Sequence, residues 1–146
     1  ERSFKDILHD ALSSGLPLAV MMLDMDDFKG INDTFGHAMG DEALVALADI
    51  LTSSVRSVDI VCRWGGDEFF VILTRADRAA AERVVKRIHE SASSLSLLMP
   101  DNRKVGLSIG VTLSRPHDTP ESVFQRADEA LYTSKRTSGK NLVTFR

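Results

Sequence analysis

RWGGDEFF, residues 63–70, sets two glycines and two adjacent carboxylates between an aromatic residue and an apolar run. Both glycines tolerate positive φ, so Gly65 and Gly66 are the pair that a tight two-residue hairpin favours. On this reading DIVCRW (59–64) and DEFFVIL (67–73) are consecutive antiparallel strands, and Asp67 and Glu68 open the second. Neighbouring carboxylates repel each other and lose hydration at a cost when a strand is buried, so their position asks for a cation.

Before the hairpin, LAVMMLDMD (18–26) is a continuous apolar run of strand length that stops at acidic residues, as expected of a strand covered on both faces. Its carboxyl end, at Asp24, is where a ligand would sit. ERSFKDILHDALSSG (1–15) places Phe4, Ile7, Leu8 and Leu12 at helical spacing and stops at Gly15. DFKGINDTF (27–35) predicts a short helix leading into a turn, GHAMG (36–40). DEALVALADILTSSVR (41–56) then predicts a helix with Leu44, Leu47, Leu51 and Val55 on one face.

Beyond the hairpin, RADRAAAERVVKRIHES (75–91) predicts a helix whose inner stripe is Ala81, Val84, Val85 and Ile88. KVGLSIGVTL (104–113) is a long strand. PESVFQRADEALYTSK (120–135) is a helix with Thr119 as its cap and Pro120 in its first turn, and NLVTF (141–145) is a last short strand. The order contains a ferredoxin-like βαββαβ core with an extra helix and a hairpin, an α+β class with helices packed on an antiparallel central sheet.

With 146 residues, 43% hydrophobic and 27% charged, the composition is that of one globular domain. A net charge of -3 argues against a nucleic-acid polymer or an anionic membrane as partner, and a polyphosphate ligand would need metal ions. The lone Cys62 cannot form an intrachain disulfide, no apolar run reaches the length of a membrane span, and no signal peptide opens the chain. The expected location is cytoplasmic, in a parent protein that could itself be membrane-anchored. His9, His89 and His117 lack metal-site spacing and read as surface residues, while Arg63 could pair with the acidic cluster or with a phosphate.

Asp24 and Asp67 could meet at one edge of the sheet centre, where two carboxylates and a backbone carbonyl such as that of Met25 would bind Mg²⁺ or Mn²⁺. Acids that merely cap turns are the alternative that spacing alone leaves open. The amides of Asp27, Phe28 and Lys29 lie at a helix start that suits phosphate, and Lys29 is either an added charge there or a solvated helix lysine.

RWGGDEFF, with LDMDDFKGINDTFGHAMGDEAL (23–44) before it and ADEALYTSK (127–135) after it, resembles the GGDEF family of diguanylate cyclases, in the family's order over nearly the whole chain. The resemblance implies a sheet similar to that of polymerase palms and class III nucleotide cyclases. It implies condensation of two GTP molecules into cyclic di-GMP across a homodimer, with release of two pyrophosphates. It makes Asp24, the Met25 carbonyl and Asp67 holders of two divalent ions, Asp67 the general base, and Glu68 an aid to the second metal. It places the β- and γ-phosphates on the amides of Asp27, Phe28 and Lys29. Asn32 and Asp41 take the positions that read guanine; a carboxylate accepts from its N1–H and exocyclic amine, whereas adenine presents an acceptor at N1. His37 lines the base or ribose pocket or is a structural turn histidine.

Two further expectations follow from the resemblance. RSVD (56–59) matches the family's product-inhibition motif, with Arg56 and Asp59 joined by Arg87 in holding cyclic di-GMP. In SKRTSGKN (134–141) Lys135 is followed by three residues before Gly139, where the family more often has two, and Lys140 stands where it has arginine. Lys135 and Lys140 would reach the triphosphate as point charges, with Arg136 competing with Lys135 for that role. The family's leading DxLTGLxNR segment is missing, so residues 1–146 are expected to be one such domain truncated at its N-terminus. The alternative function is a noncatalytic receptor for GTP or cyclic di-GMP, and a third is relaxed base choice giving mixed cyclic dinucleotides.

Overall fold

A computed structural model describes residues 3–137 and 143–146. Its elements are α1 (Phe4–Ser13), β1 (Leu18–Met25), α2 (Phe28–Phe35), α3 (His37–Ser54), β2 (Ile60–Trp64), β3 (Glu68–Thr74), α4 (Arg78–Ser91), α5 (Ser93–Leu98), β4 (Leu107–Leu113), α6 (Pro120–Arg136) and β5 (Val143–Phe145). The sheet runs β2-β3-β1-β4-β5, antiparallel except for β5, which lies parallel to β4. The first four strands keep the ferredoxin-like order, and β5 covers the free edge of β4.

β1 is buried at every position because helices cover both faces of the sheet. Ala19, Met21, Leu23 and Met25 pack with Leu44, Leu47 and Leu51 of α3 and with the α4 stripe Ala81, Val84, Val85 and Ile88. Leu18, Val20 and Met22 turn the other way, onto Leu8 of α1 and Val123, Ala127 and Leu131 of α6. Strand alternation thus divides one apolar run between two cores. α6 starts as expected, with a capping box between Thr119 and Ser122 and Pro120 in its first turn. It comes so close to β4 that a Cβ at Gly110 would stand 2.2 Å from the Leu131 nitrogen and 2.6 Å from the Ala127 oxygen.

Several expectations need correction. Trp64 pairs with Glu68 across the hairpin, so the loop holds three residues and Asp67 sits in the turn rather than in the strand. GHAMG is not a turn: only Gly36, at φ 93°, breaks the chain, and helix α3 begins at His37. α5 was hidden in a serine-rich stretch with weak helix propensity, and the burial of Leu95 outweighs that preference. Of the final strand, Asn141 and Leu142 lie outside the described residues. His89 is half-buried rather than on the surface, and burial pulls its imidazole below the ordinary value. No helix among the described residues is long and apolar enough to cross a membrane.

At the end of the sheet away from the hairpin turn, Arg126 of α6 clamps Asp118 with two contacts of 2.7 Å and also donates to the Leu113 carbonyl and the Thr112 hydroxyl. Both side chains are largely shielded from water. The Arg126 guanidinium holds Asp118 at about 2, below its ordinary 3.8. Because the folded value is the lower one, this contribution is complete above pH 3.8 and is lost as pH falls through about 2. It is worth about 2 kcal/mol. Asp118→Asn should therefore lower the unfolding free energy at pH 7 by about that amount and remove the matching acid-side slope, both read from urea titrations.

Candidate active site

The register places Glu68, Asp24 and Ser108 side by side across β3, β1 and β4. Residues directly opposite one another share a sheet face, so the three project toward the α6 side. There Lys135, in the last turn of α6, reaches Asp24 with its Nζ 2.5 Å from Oδ2. Asp24 is 1% exposed, and its Oδ1 is buried with no hydrogen-bond partner among the described residues.

Burial lifts the Asp24 carboxyl to about 6; the Lys135 ammonium opposes the rise, and the charges of Asp67 and Glu68 add to it. Glu68 is likewise raised, by burial first and then by Asp67. Burial pulls Lys135 down, but its hydrogen bond to Asp24 and the surrounding carboxylates more than reverse this, so its value is raised. One ammonium thus faces three carboxylates.

Beside this cluster lies an open cleft of about 360 Å³ whose walls include Met25, Asp26, Asp67, Lys135 and the start of α2. Asp27 takes the left-handed conformation at φ 55° and places no side-chain cap on α2. The first amides of that helix therefore have neither an intrahelical acceptor nor a cap. Lys29 also borders the cleft, with its ammonium paired at 2.9 Å with Asp33 one turn on.

Asp26 and Ser108 were not singled out in the sequence. The Ser108 hydroxyl donates to Asp26 Oδ1, and the Asp26 amide donates to the Gly106 carbonyl at 2.9 Å. Together these bonds tie the β1–α2 turn to β4. The pattern DMDD carried a signal for Asp26, because alternation puts it on the face of Asp24; Ser108 became visible only with the strand register.

The turn itself is held by Arg63, whose Nε and Nη2 both donate to the Gly66 carbonyl, at 2.9 and 2.7 Å. The expected pairing of Arg63 with the acidic cluster is thus replaced by a main-chain contact. Lys135 rather than Arg136 faces the carboxylates; Arg136 lies over the Tyr132 ring. Lys140 lies outside the described residues.

Asn32, His37 and Asp41 are not among the residues lining this cleft. Asn32 packs against α3 where Gly40 leaves it room: a Cβ there would fall 1.9 Å from Asn32 Oδ1, which is buried and unpartnered among the described residues. His37 and Asp41 are exposed on the first turns of α3, and Asp41 borders a shallow groove with Val45 and Leu98.

RSVD is a folded unit rather than an exposed ion pair. The Asp59 side chain is 1% exposed, accepts from the Arg56 and Thr74 amides at 2.9 and 3.0 Å, and receives the Arg56 guanidinium at 3.1 Å. Burial raises the Asp59 carboxyl, but these donors together bring it below the ordinary value. Arg87 forks onto the Ser54 carbonyl at 3.1 and 2.9 Å, at the end of α3 just before Arg56. The fold therefore brings Arg56, Asp59 and Arg87 to one place.

Among the described residues no three His, Cys, Asp or Glu side chains gather as a ready-made metal cluster. The oxygen donors present, two carboxylates of a cluster with one orphaned buried oxygen and a main-chain carbonyl, fit a hard cation that keeps several outside ligands.

The family described as "Diguanylate cyclase, GGDEF domain" matches residues 1–141. The response regulator PleD of Caulobacter vibrioides is 42% identical over 137 residues, covering 91% of this chain and 30% of PleD. The diguanylate cyclase DosC of Escherichia coli is 40% identical over 142 residues, covering 96% of this chain and 31% of DosC. The chain thus spans about a third of the length of these curated relatives. Among solved structures, the GGDEF domain of DgcB from Caulobacter crescentus, in complex with cyclic di-GMP, superposes with a TM-score of 0.89 at 32% identity, over 97% of this chain and 87% of that one.

The raised carboxyl of Asp24 has a consequence opposite in sign to that of Asp118. Between its ordinary 3.8 and about 6 the folded chain keeps a proton that the unfolded chain has released. Stability therefore falls as pH rises through this window, and the full cost, on the order of 2–3 kcal/mol, is in force above about pH 6. Measured with a chelator present, Asp24→Asn should raise the urea midpoint at about pH 7.5 relative to wild type by more than it does at about pH 4.5, a comparison in which the opposing titration of His89 cancels.

Proposed function

The chain belongs to the GGDEF domain family, and from that premise we propose that it is a diguanylate cyclase domain that joins two GTP molecules into cyclic di-GMP and releases two pyrophosphates. The observation that carries this reading is the buried Asp24 carboxylate beside Glu68 and the Asp67 turn, next to a cleft bordered by the uncapped start of α2.

Asp24, the Met25 carbonyl and Asp67 would hold Mg²⁺ or Mn²⁺. Such an ion lowers the pKa of the ribose 3′-hydroxyl and neutralises charge on the phosphates. Asp67, in the turn, is the base that accepts the hydroxyl proton, and Glu68 would help to hold a second such ion. The amides of Asp27, Phe28 and Lys29 hold the terminal phosphates at the positive end of α2. Lys135 places an ammonium where negative charge collects as pyrophosphate departs.

Guanine is read by Asn32 and Asp41, with His37 bordering the base or ribose, and the unpartnered Asn32 oxygen supports that role. One copy holds one GTP, so a second copy must face it to close the ring. Product returns to Arg56, Asp59 and Arg87 and inhibits; the cyclic di-GMP bound in the DgcB structure supports affinity of this fold for that molecule.

Incubation with GTP and Mg²⁺ or Mn²⁺, followed by chromatography, tests the reading. Wild type should form cyclic di-GMP at a specific rate that rises with protein concentration, and Asp67→Ala should lose at least about 100-fold. Bound but unconverted GTP across the dimerising range would sink the cyclase and leave a receptor. Arg56→Ala should weaken cyclic di-GMP binding at least about tenfold by calorimetry and relieve product inhibition, because truncating a charged partner of a guanine edge leaves its acceptors unpaired. Unaltered affinity would remove Arg56 from that site.

A further inference from the structure

The geometry points to Arg63 as a positioning residue for Asp67, acting through the main chain of the hairpin turn. This inference rests on the cyclase reading, because it concerns how the base of that reaction is held.

Arg63 stands on β2, the edge strand of the sheet, with its side chain exposed. Its two donors converge on one acceptor, the Gly66 carbonyl. That oxygen belongs to the same planar peptide group as the Asp67 N–H. Fixing the oxygen therefore fixes the plane from which the Asp67 side chain departs.

Little else holds that plane. Gly65 and Gly66 lie at φ 46° and 50°, and a Cβ at either would meet nothing within 4 Å, so neither glycine is braced on its Cβ side. The turn is closed by the Glu68 amide, which donates to the Gly65 carbonyl at 3.2 Å, and by the pairing of Trp64 with Glu68. Both restraints flank the Gly66–Asp67 peptide without touching its oxygen. Two consecutive glycines give that peptide the freedom to rotate, and the guanidinium fork removes it.

Arg63 also brings a positive charge to an acidic neighbourhood, and it could instead touch a phosphate. These roles separate by substitution. Lysine keeps the charge and loses the fork; methionine keeps the apolar stem and loses both.

Steady-state kinetics of wild type, Arg63→Lys and Arg63→Met with GTP decide between them. Both variants should lose about 10- to 100-fold in kcat with KM for GTP within about twofold, as expected for a misplaced group that does not bind ground-state substrate. Their urea midpoints should stay near that of wild type, since Arg63 is exposed. Hydrogen exchange at the Glu68 amide, which closes the turn on the Gly65 carbonyl, read by NMR without nucleotide, should quicken in both. A raised KM with kcat preserved would make Arg63 a substrate contact and overturn the proposal. Wild-type kcat in Arg63→Lys would overturn it in favour of charge alone, and unchanged exchange would show that the turn does not need the fork. If wild type itself formed no cyclic di-GMP, the cyclase reading would fail first and this proposal with it.

Discussion

A carboxylate at the buried end of a central strand constrains everything around it. Asp24 cannot be solvated where β1 puts it, and a buried charge is tolerated only when paired. The fold answers with an ammonium from α6 on one oxygen and leaves the other without a partner among the described residues. Glu68 and Asp67 add negative charge on the same side, so the local balance stays acidic even with Lys135 in place. This residual imbalance distinguishes the cluster from a structural ion pair. Arg126 and Asp118, at the other end of the sheet, are mutually satisfied and their pair depresses the carboxyl.

The scaffold was legible because its signals are periodic or local. The apolar run of β1, the stripe of α4 and the capping of α6 each rest on residues close in sequence, and each appears in the structure as read. GHAMG misled because two glycines within five residues look like a loop, yet Gly40 is there to admit Asn32 against the helix rather than to bend it. The hairpin was placed correctly but counted one residue short, since glycine composition alone does not reveal whether the next residue pairs.

The candidate site was legible as residue types and much less so as contacts. Asp24, Asp67 and Lys135 stood out in the sequence; strand register sets Asp24 opposite Glu68 at the edge of the Asp67 turn, and α6 brings Lys135 to Asp24 across 111 positions of chain. The Ser108 tie to Asp26, the Arg63 fork and the burial of Asp59 were not legible, because each joins residues through strand order or main-chain carbonyls. RSVD shows the difference plainly. Read as a string it is a weak surface pair; folded, it is a small turn whose carboxylate binds the end of β3 while its arginine stays half outside.

The backbone of α6 presses against β4 at Gly110 with no side chain between them. Two main chains in direct apposition have no rotamers to adjust, so the helix cannot slide or tilt there without lifting off the sheet. The lever that carries Lys135 is consequently short and stiff, anchored at Ala127, Ala130 and Leu131, the last of them about one helical turn from its tip. Adaptation within such a frame falls to the part that can yield, the reach of the lysine stem, because the helix backbone is pinned on one side of the cleft and the forked arginine pins the two-glycine turn on the other.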